Sequence, residues 1–188
     1  GISSGGTATN PSGSSDSAQA SHKAYVSGYE DNTVRPDNNI TRAEAAAMIS
    51  RISTDFSADG GYDVSGFSDI DSGAWYAVYV GYAAVKGIAG GYEDGSFRPN
   101  DNITREEFAA MICRFMGYEA SGSSAFSDVP SEHWANGYIS AMKEKSIIGG
   151  YEDGTFGLGR KITRAEVVSI INRALNRVPS SDKLSEYI

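Results

Sequence analysis

The sequence predicts an all-α chain, and three observations point there. A Thr-Arg-x-Glu motif opens an apolar helical stretch three times, two further stretches carry helical apolar spacing, and Gly/Asp turns separate them. The motif reads "ITRAEAAAMISRI" from Ile40, "ITREEFAAMICRF" from Ile103 and "ITRAEVVSIINRA" from Ile162. In each copy Thr41, Thr104 or Thr163 sits three residues before Glu44, Glu107 or Glu166. That is the spacing of a capping box, in which the threonine caps the helix and the glutamate reaches back to the cap amide.

Taken in order, the chain begins with a Ser/Gly-rich leader over residues 1–21 that reads as linker. The first unit, 22–57, holds "SGYEDNTVRPDNNITRAE" from Ser27 and only the second half of the repeat. The second, 62–118, and the third, 124–178, each begin with a longer upstream half: "FSDIDSGAWYAVYVGYAAVKGI" from Phe67 and "FSDVPSEHWANGYISAMKEKSI" from Phe126. Their apolar spacing predicts helices near 73–86 and 132–145 that carry Trp75 and Trp134. The repeat tyrosines fall at 29, 92 and 151, each 12 residues before its helix-capping threonine, which marks one structural unit used three times. Between tyrosine and threonine, "GYEDG" predicts a turn in which Gly95 and Gly154 take positive φ, Asn32 stands in for glycine, and the aspartate bonds its own backbone. Residues 179–188 read as the start of a further truncated segment. By the spacing of the earlier units, the missing upstream half is expected just beyond Ile188.

Composition narrows the function. At 188 residues and 40% hydrophobic content the chain can bury a core, and a net charge of -8 disfavours nonspecific binding to nucleic acid. Any anionic ligand must be met by locally placed arginines. The sequence contains no run of 18 apolar residues and no signal-peptide pattern at its start, so no membrane partner is expected and the chain reads as part of a larger protein. The lone Cys113 reads as a small buried hydrophobe, and two distant histidines, His22 and His133, make no metal set. The acidic turns lack the calcium-loop spacing: from Asp94, the third and fifth positions are Ser96 and Arg98. No P-loop, nucleophile elbow or HExxH motif is present, so no enzyme, cofactor or metal is expected.

The capping box leaves one residue unexplained. Arg42, Arg105 and Arg164 stand at the first helical position, where a cation meets the positive end of the helix dipole at a cost of about 0.3–1 kcal/mol. Either each pairs with a neighbouring carboxylate, such as the aspartate of "FSD", or it awaits an anionic ligand that a planar guanidinium can grip through two parallel bonds. For Trp75 and Trp134 the default on an amphipathic helix is the core, with stacking on a sugar ring as the functional alternative. Tyr29, Tyr92 and Tyr151 read as turn anchors.

Together "FSDV", the tryptophan, "GGYEDGTF", "FRPNDNITREEFAAMICR" and "ITRAE" resemble the S-layer homology (SLH) domain over about residues 22–178. The resemblance implies helix-loop-helix repeats packed as an intrachain pseudo-threefold trimer. It also implies noncovalent anchoring of an exported bacterial surface protein to secondary cell-wall polysaccharide, often pyruvylated, in grooves between repeats. Peptidoglycan is a second wall partner it suggests. Carried residue by residue, it assigns Arg42, Arg105 and Arg164 to a ketal carboxylate and Trp75 and Trp134 to stacking. Asp69 and Asp128 then bond sugar hydroxyls or orient an arginine. The third repeat departs from the pattern, reading "FGLGRKITRAE" where the second reads "FRPNDNITREE", and the groove using Arg105 is the favoured candidate. The competing functions are a protein-interaction or surface-layer assembly module and, less favoured, a glycan-active enzyme.

Overall fold

The computed structural model describes residues 24–124 and 126–177; the predicted linker and the segment from 179 onward lie outside them. Five helices make up the regular structure: α1 (Arg42–Ile52), α2 (Ala77–Val85), α3 (Arg105–Phe115), α4 (Asn136–Glu144) and α5 (Arg164–Ala174). The chain is all-α, with only isolated bridges besides the helices among the described residues.

Both halves of the capping box are present at Thr41/Glu44, Thr104/Glu107 and Thr163/Glu166, as the sequence predicts. The turns also follow the prediction. Asn32, Gly95 and Gly154 have φ of 59°, 78° and 81°, and Asp31, Asp94 and Asp153 accept from the amides of Thr33, Ser96 and Thr155. The glycine before each of the last two repeat tyrosines permits a close approach. A Cβ on Gly91 would lie 2.8 Å from Cε1 of Phe67, and one on Gly150 would lie 2.3 Å from Cε1 of Phe126, so the "FSD" phenylalanine packs where a side chain would stand.

The three repeats meet at their "ITR" isoleucines. Ile40 donates its amide to the carbonyl of Ile162 at 3.3 Å, Ile162 to Ile103 at 3.2 Å, and Ile103 to Ile40 at 3.0 Å, closing a ring of three hydrogen bonds around fully buried side chains. The same cycle runs one layer out. The amide of Arg42 donates to Asp101, that of Arg105 to Arg160 and that of Arg164 to Asn38, each at 2.9 Å. These bonds satisfy helix amides that have no partner within their own helix. They generate the pseudo-threefold arrangement and explain why it needs three copies.

Packing does not follow the sequence repeat. Helix α1 of the first unit pairs with α2 of the second, and α3 of the second with α4 of the third. Small side chains let these pairs approach closely: Ala45, Ala46 and Ala47 on α1, and Ala109 and Ala110 on α3, are buried. Helix α5 touches α3 but has no paired helix among the described residues, and Ala165 and Ser169 are exposed where the corresponding Ala43 and Ala47 of α1 are buried.

The helices predicted at 73–86 and 132–145 end within a residue of expectation but begin four residues late. Residues 71–76 and 130–135 form tight turns instead, with Ala74 bonded back to Asp71, and Asn136 to His133. Both tryptophans therefore precede their helices. The buried seats of α2 and α4 go to Val80, Tyr82, Ala83, Ile139 and Met142, while Trp75 and Trp134 are 58% and 55% exposed. The core placement expected for them is overturned.

Candidate functional site

All three first-turn arginines are buried, and all three reach across to the next repeat of the cycle. Arg42 donates from Nε to the carbonyl of Phe97 at 2.9 Å, from Nη2 to that of Gly90 at 3.0 Å, and from Nη1 to Oε1 of Glu107 at 3.1 Å. Arg105 donates from Nη2 to Gly149 at 2.9 Å and from Nη1 to Glu166 at 3.3 Å. Arg164 donates from Nη2 to the carbonyl of Ser27. Each guanidinium also lies over the next repeat's tyrosine: Arg42 at 4.7 Å from the Tyr92 ring, and Arg105 and Arg164 at 5.2 Å from Tyr151 and Tyr29.

For Arg42 and Arg105 the carboxylate partner is the capping-box glutamate of the following repeat, not the "FSD" aspartate. Burial opposes ionisation of Glu107, but the Thr104 amide, the Tyr92 hydroxyl at 2.7 Å and the Arg42 guanidinium outweigh it and hold the carboxyl below its ordinary value. Glu166 is held down in the same way by Thr163, Tyr151 and Arg105. The Tyr92 hydroxyl is in turn pushed up to about 12, by burial first and then by its bond to Glu107.

Asp69 and Asp128 do other work. Asp69 accepts from the amides of Phe97 and Arg98, both at 2.7 Å, and Asp128 from those of Phe156, Gly157 and Leu158 at 2.7–2.8 Å. Among the described residues neither bonds an arginine side chain. They fasten the loop that follows the "GYEDG" turn, which keeps the repeat tyrosine and the crevice wall in place.

The exposed tryptophans face the buried arginines across two equivalent crevices. One, of about 170 Å³, is lined by Tyr29, Glu44, Met48, Arg51, Trp75 and Arg164. The other, of about 260 Å³, is lined by Tyr92, Glu107, Met111, Arg114, Trp134 and Arg42. Each takes its tyrosine, glutamate, methionine and second arginine from one repeat, its first-turn arginine from the repeat before and its tryptophan from the repeat after. Arg105 stands in the third such position, beside Tyr151 and Glu166, with no tryptophan from the described residues facing it.

The arginines of the last helical turn escape the sequence argument. Arg51 donates to the Tyr79 hydroxyl at 3.3 Å and Arg114 to that of Tyr138 at 3.1 Å, and each lies over that ring at 5.0 and 4.8 Å. The signal was available, since Arg51, Arg114 and Arg173 each follow the first-turn arginine by nine residues. The two cations that precede the third motif have a structural reading too. Arg160 lies 4.4 Å from the Tyr151 ring, the place held over Tyr29 and Tyr92 by Arg35 and Arg98 at 4.0 Å. Arg35 and Arg98 have positive φ, and glycine takes the matching position 157, so the arginine moves three residues on.

The family model of the S-layer homology domain matches this chain at residues 18–46, 66–109 and 125–168. Among curated proteins, the chain is 38% identical over 169 residues to "Cell surface glycoprotein 1" of Acetivibrio thermocellus, covering 84% of this chain and 7% of that one. It is 35% identical over 172 residues to the "Cellulosome-anchoring protein" of the same organism, covering 88% and 38%. It is 36% identical over 160 residues to "Amylopullulanase" of Thermoanaerobacterium thermosulfurigenes, covering 81% and 8%. The chain therefore spans well under half the length of each of these relatives.

Proposed function

Because the chain belongs to the S-layer homology domain family, we propose that it is a non-catalytic module that anchors a larger bacterial surface protein to the cell wall. The same kind of segment accompanies proteins named for anchoring, for the cell surface and for polysaccharide cleavage, which supports a portable attachment role separate from any chemistry of the parent. No helix among the described residues is long and apolar enough to cross a membrane, and attachment to a wall polymer asks for none.

The ligand in this reading is an anionic secondary cell-wall polysaccharide, pyruvylated at a terminal sugar, with peptidoglycan as the neighbouring wall component. One observation carries it: a half-exposed tryptophan stands opposite a buried arginine in each of two inter-repeat crevices. The indole offers a flat face to a sugar ring, and the guanidinium gives a partly desolvated charge for a ketal carboxylate. Arg42 and Arg164 fill that role with Trp134 and Trp75, Arg51 and Arg114 flank it, and Asp69 and Asp128 act indirectly through the loops they hold. Arg105 is a site residue only where a further segment supplies its tryptophan.

Sedimentation with purified cell walls tests the reading. The protein is expected to pellet with native walls, less with walls stripped of pyruvyl groups, and little after Trp75→Ala and Trp134→Ala together. Equal binding in all three arms would redirect the function to a protein partner on another face.

A further inference from the structure

The two tryptophan crevices are built alike but are not electrically alike. In the Arg42 crevice the cation is already neutralised: all three guanidinium nitrogens donate, Nη1 to Glu107, and the Tyr92 hydroxyl donates to the same carboxylate. In the Arg164 crevice the corresponding links are missing. Among the described residues no carboxylate lies within ion-pairing distance of Arg164, although it is 94% buried, and its Nε, like that of Arg105 and unlike that of Arg42, has no partner there. Only Nη2 is engaged, by the carbonyl of Ser27. Glu44 lines this crevice but accepts from the Thr41 amide and not from Arg164, and Tyr29 does not donate to it, whereas Tyr92 and Tyr151 donate to Glu107 and Glu166 at 2.7 and 2.8 Å.

We infer that the crevice lined by Tyr29, Trp75 and Arg164 is the primary anion site, and that the crevice lined by Tyr92, Trp134 and Arg42 is a weaker, self-blocked one. The inference rests on the proposed anchoring function and ranks its two sites. A ligand carboxylate entering beside Arg164 finds an unneutralised, desolvated cation with Nη1 free to donate, and binding removes the cost of leaving that charge unpaired. A carboxylate entering either crevice meets a glutamate on its wall, but beside Arg42 it must also displace Glu107 from Nη1, whereas Glu44 is not bonded to Arg164. Glu107 thus acts as a built-in competitor, and the sugar ring can stack on either tryptophan while only one crevice rewards its charge.

The chain has two tryptophans, one in each crevice, so fluorescence reads the sites separately. Trp134→Phe leaves Trp75 as the reporter, and Trp75→Phe leaves Trp134. The probe is a methyl hexopyranoside bearing a 4,6-linked pyruvate ketal, with its carboxylate methyl ester as the neutral control. The Trp75 signal is expected to half-saturate at a concentration lower by about tenfold or more than the Trp134 signal. Glu107→Gln, which keeps a capping side chain while removing the competing charge, is expected to close most of that gap when added to Trp75→Phe. The neutral ester is expected to show no ranking. Equal half-saturation at the two tryptophans, or tighter binding at Trp134, overturns the ranking while leaving the anchoring function standing. No response at either tryptophan, together with no pelleting on native walls, overturns both.

Discussion

Arg42 donates to Glu107, 65 residues downstream, at 3.1 Å, and that carboxylate is the same one that closes the capping box of the next helix. One glutamate therefore caps its own helix and neutralises its predecessor's arginine. Arg105 and Glu166 repeat the arrangement at 3.3 Å. The cation at an unfavourable helix position is an inter-repeat fastener as well as a crevice wall.

Breaking the fastener on one side should be costly. Arg42→Met leaves Glu107 partly buried without its cation and is expected to lose about 3–5 kcal/mol in urea unfolding. Arg42→Met combined with Glu107→Gln should lose less than the sum of the two changes, with a coupling of about 1–3 kcal/mol. Additive losses would mean that the pair does not act as a unit.

Acid should unfold the protein through its held carboxylates. Burial opposes ionisation of Asp128, and the amides of Leu158, Phe156 and Gly157 outweigh it, so its folded value lies below the ordinary one. Glu107 and Glu166 are depressed as well. Stability from depressed groups is complete above the unfolded values near about 4 and is lost as pH falls through the folded values. Tm should thus be level from about pH 7 to 5 and drop below about pH 4. In Asp128→Asn, whose amide group turns donors toward donors, Tm should start lower by the equivalent of about 1–2 kcal/mol and the acid limb should be shallower.

The glycine before the repeat tyrosine should not tolerate a methyl group. A Cβ on Gly150 would meet Cε1 of Phe126 at 2.3 Å and the carbonyl of Thr155 at 2.6 Å. Gly150→Ala is expected to cost about 1–3 kcal/mol, whereas Gly149→Ala, with nothing within 4 Å of its Cβ, should be nearly silent in the same thermal melt.

The tryptophans should separate binding from stability. Each is more than half exposed, so Trp75→Ala and Trp134→Ala are expected to shift unfolding by no more than about 0.5–1 kcal/mol while reducing wall pelleting. A large stability loss without a binding loss would return them to a packing role.

Local chemistry was legible in the sequence. The capping boxes and the Asp/Gly turns follow from residues within about a dozen positions of one another, because hydrogen bonds of that range are set by spacing along the chain, and the three-fold repetition and the family follow from the recurrence of that local pattern. Tertiary structure decided what spacing cannot carry. Asp69 and Asp128 find their acceptor role 28–30 residues downstream, and Glu107 meets Arg42 only when a later repeat closes on an earlier one. Trp75 and Trp134 are exposed because tight turns delay their helices past the apolar pattern that included them. The inequality of the two crevices arises in the same way: identical motifs fix which groups are present, and only the closed ring of repeats fixes which charges meet.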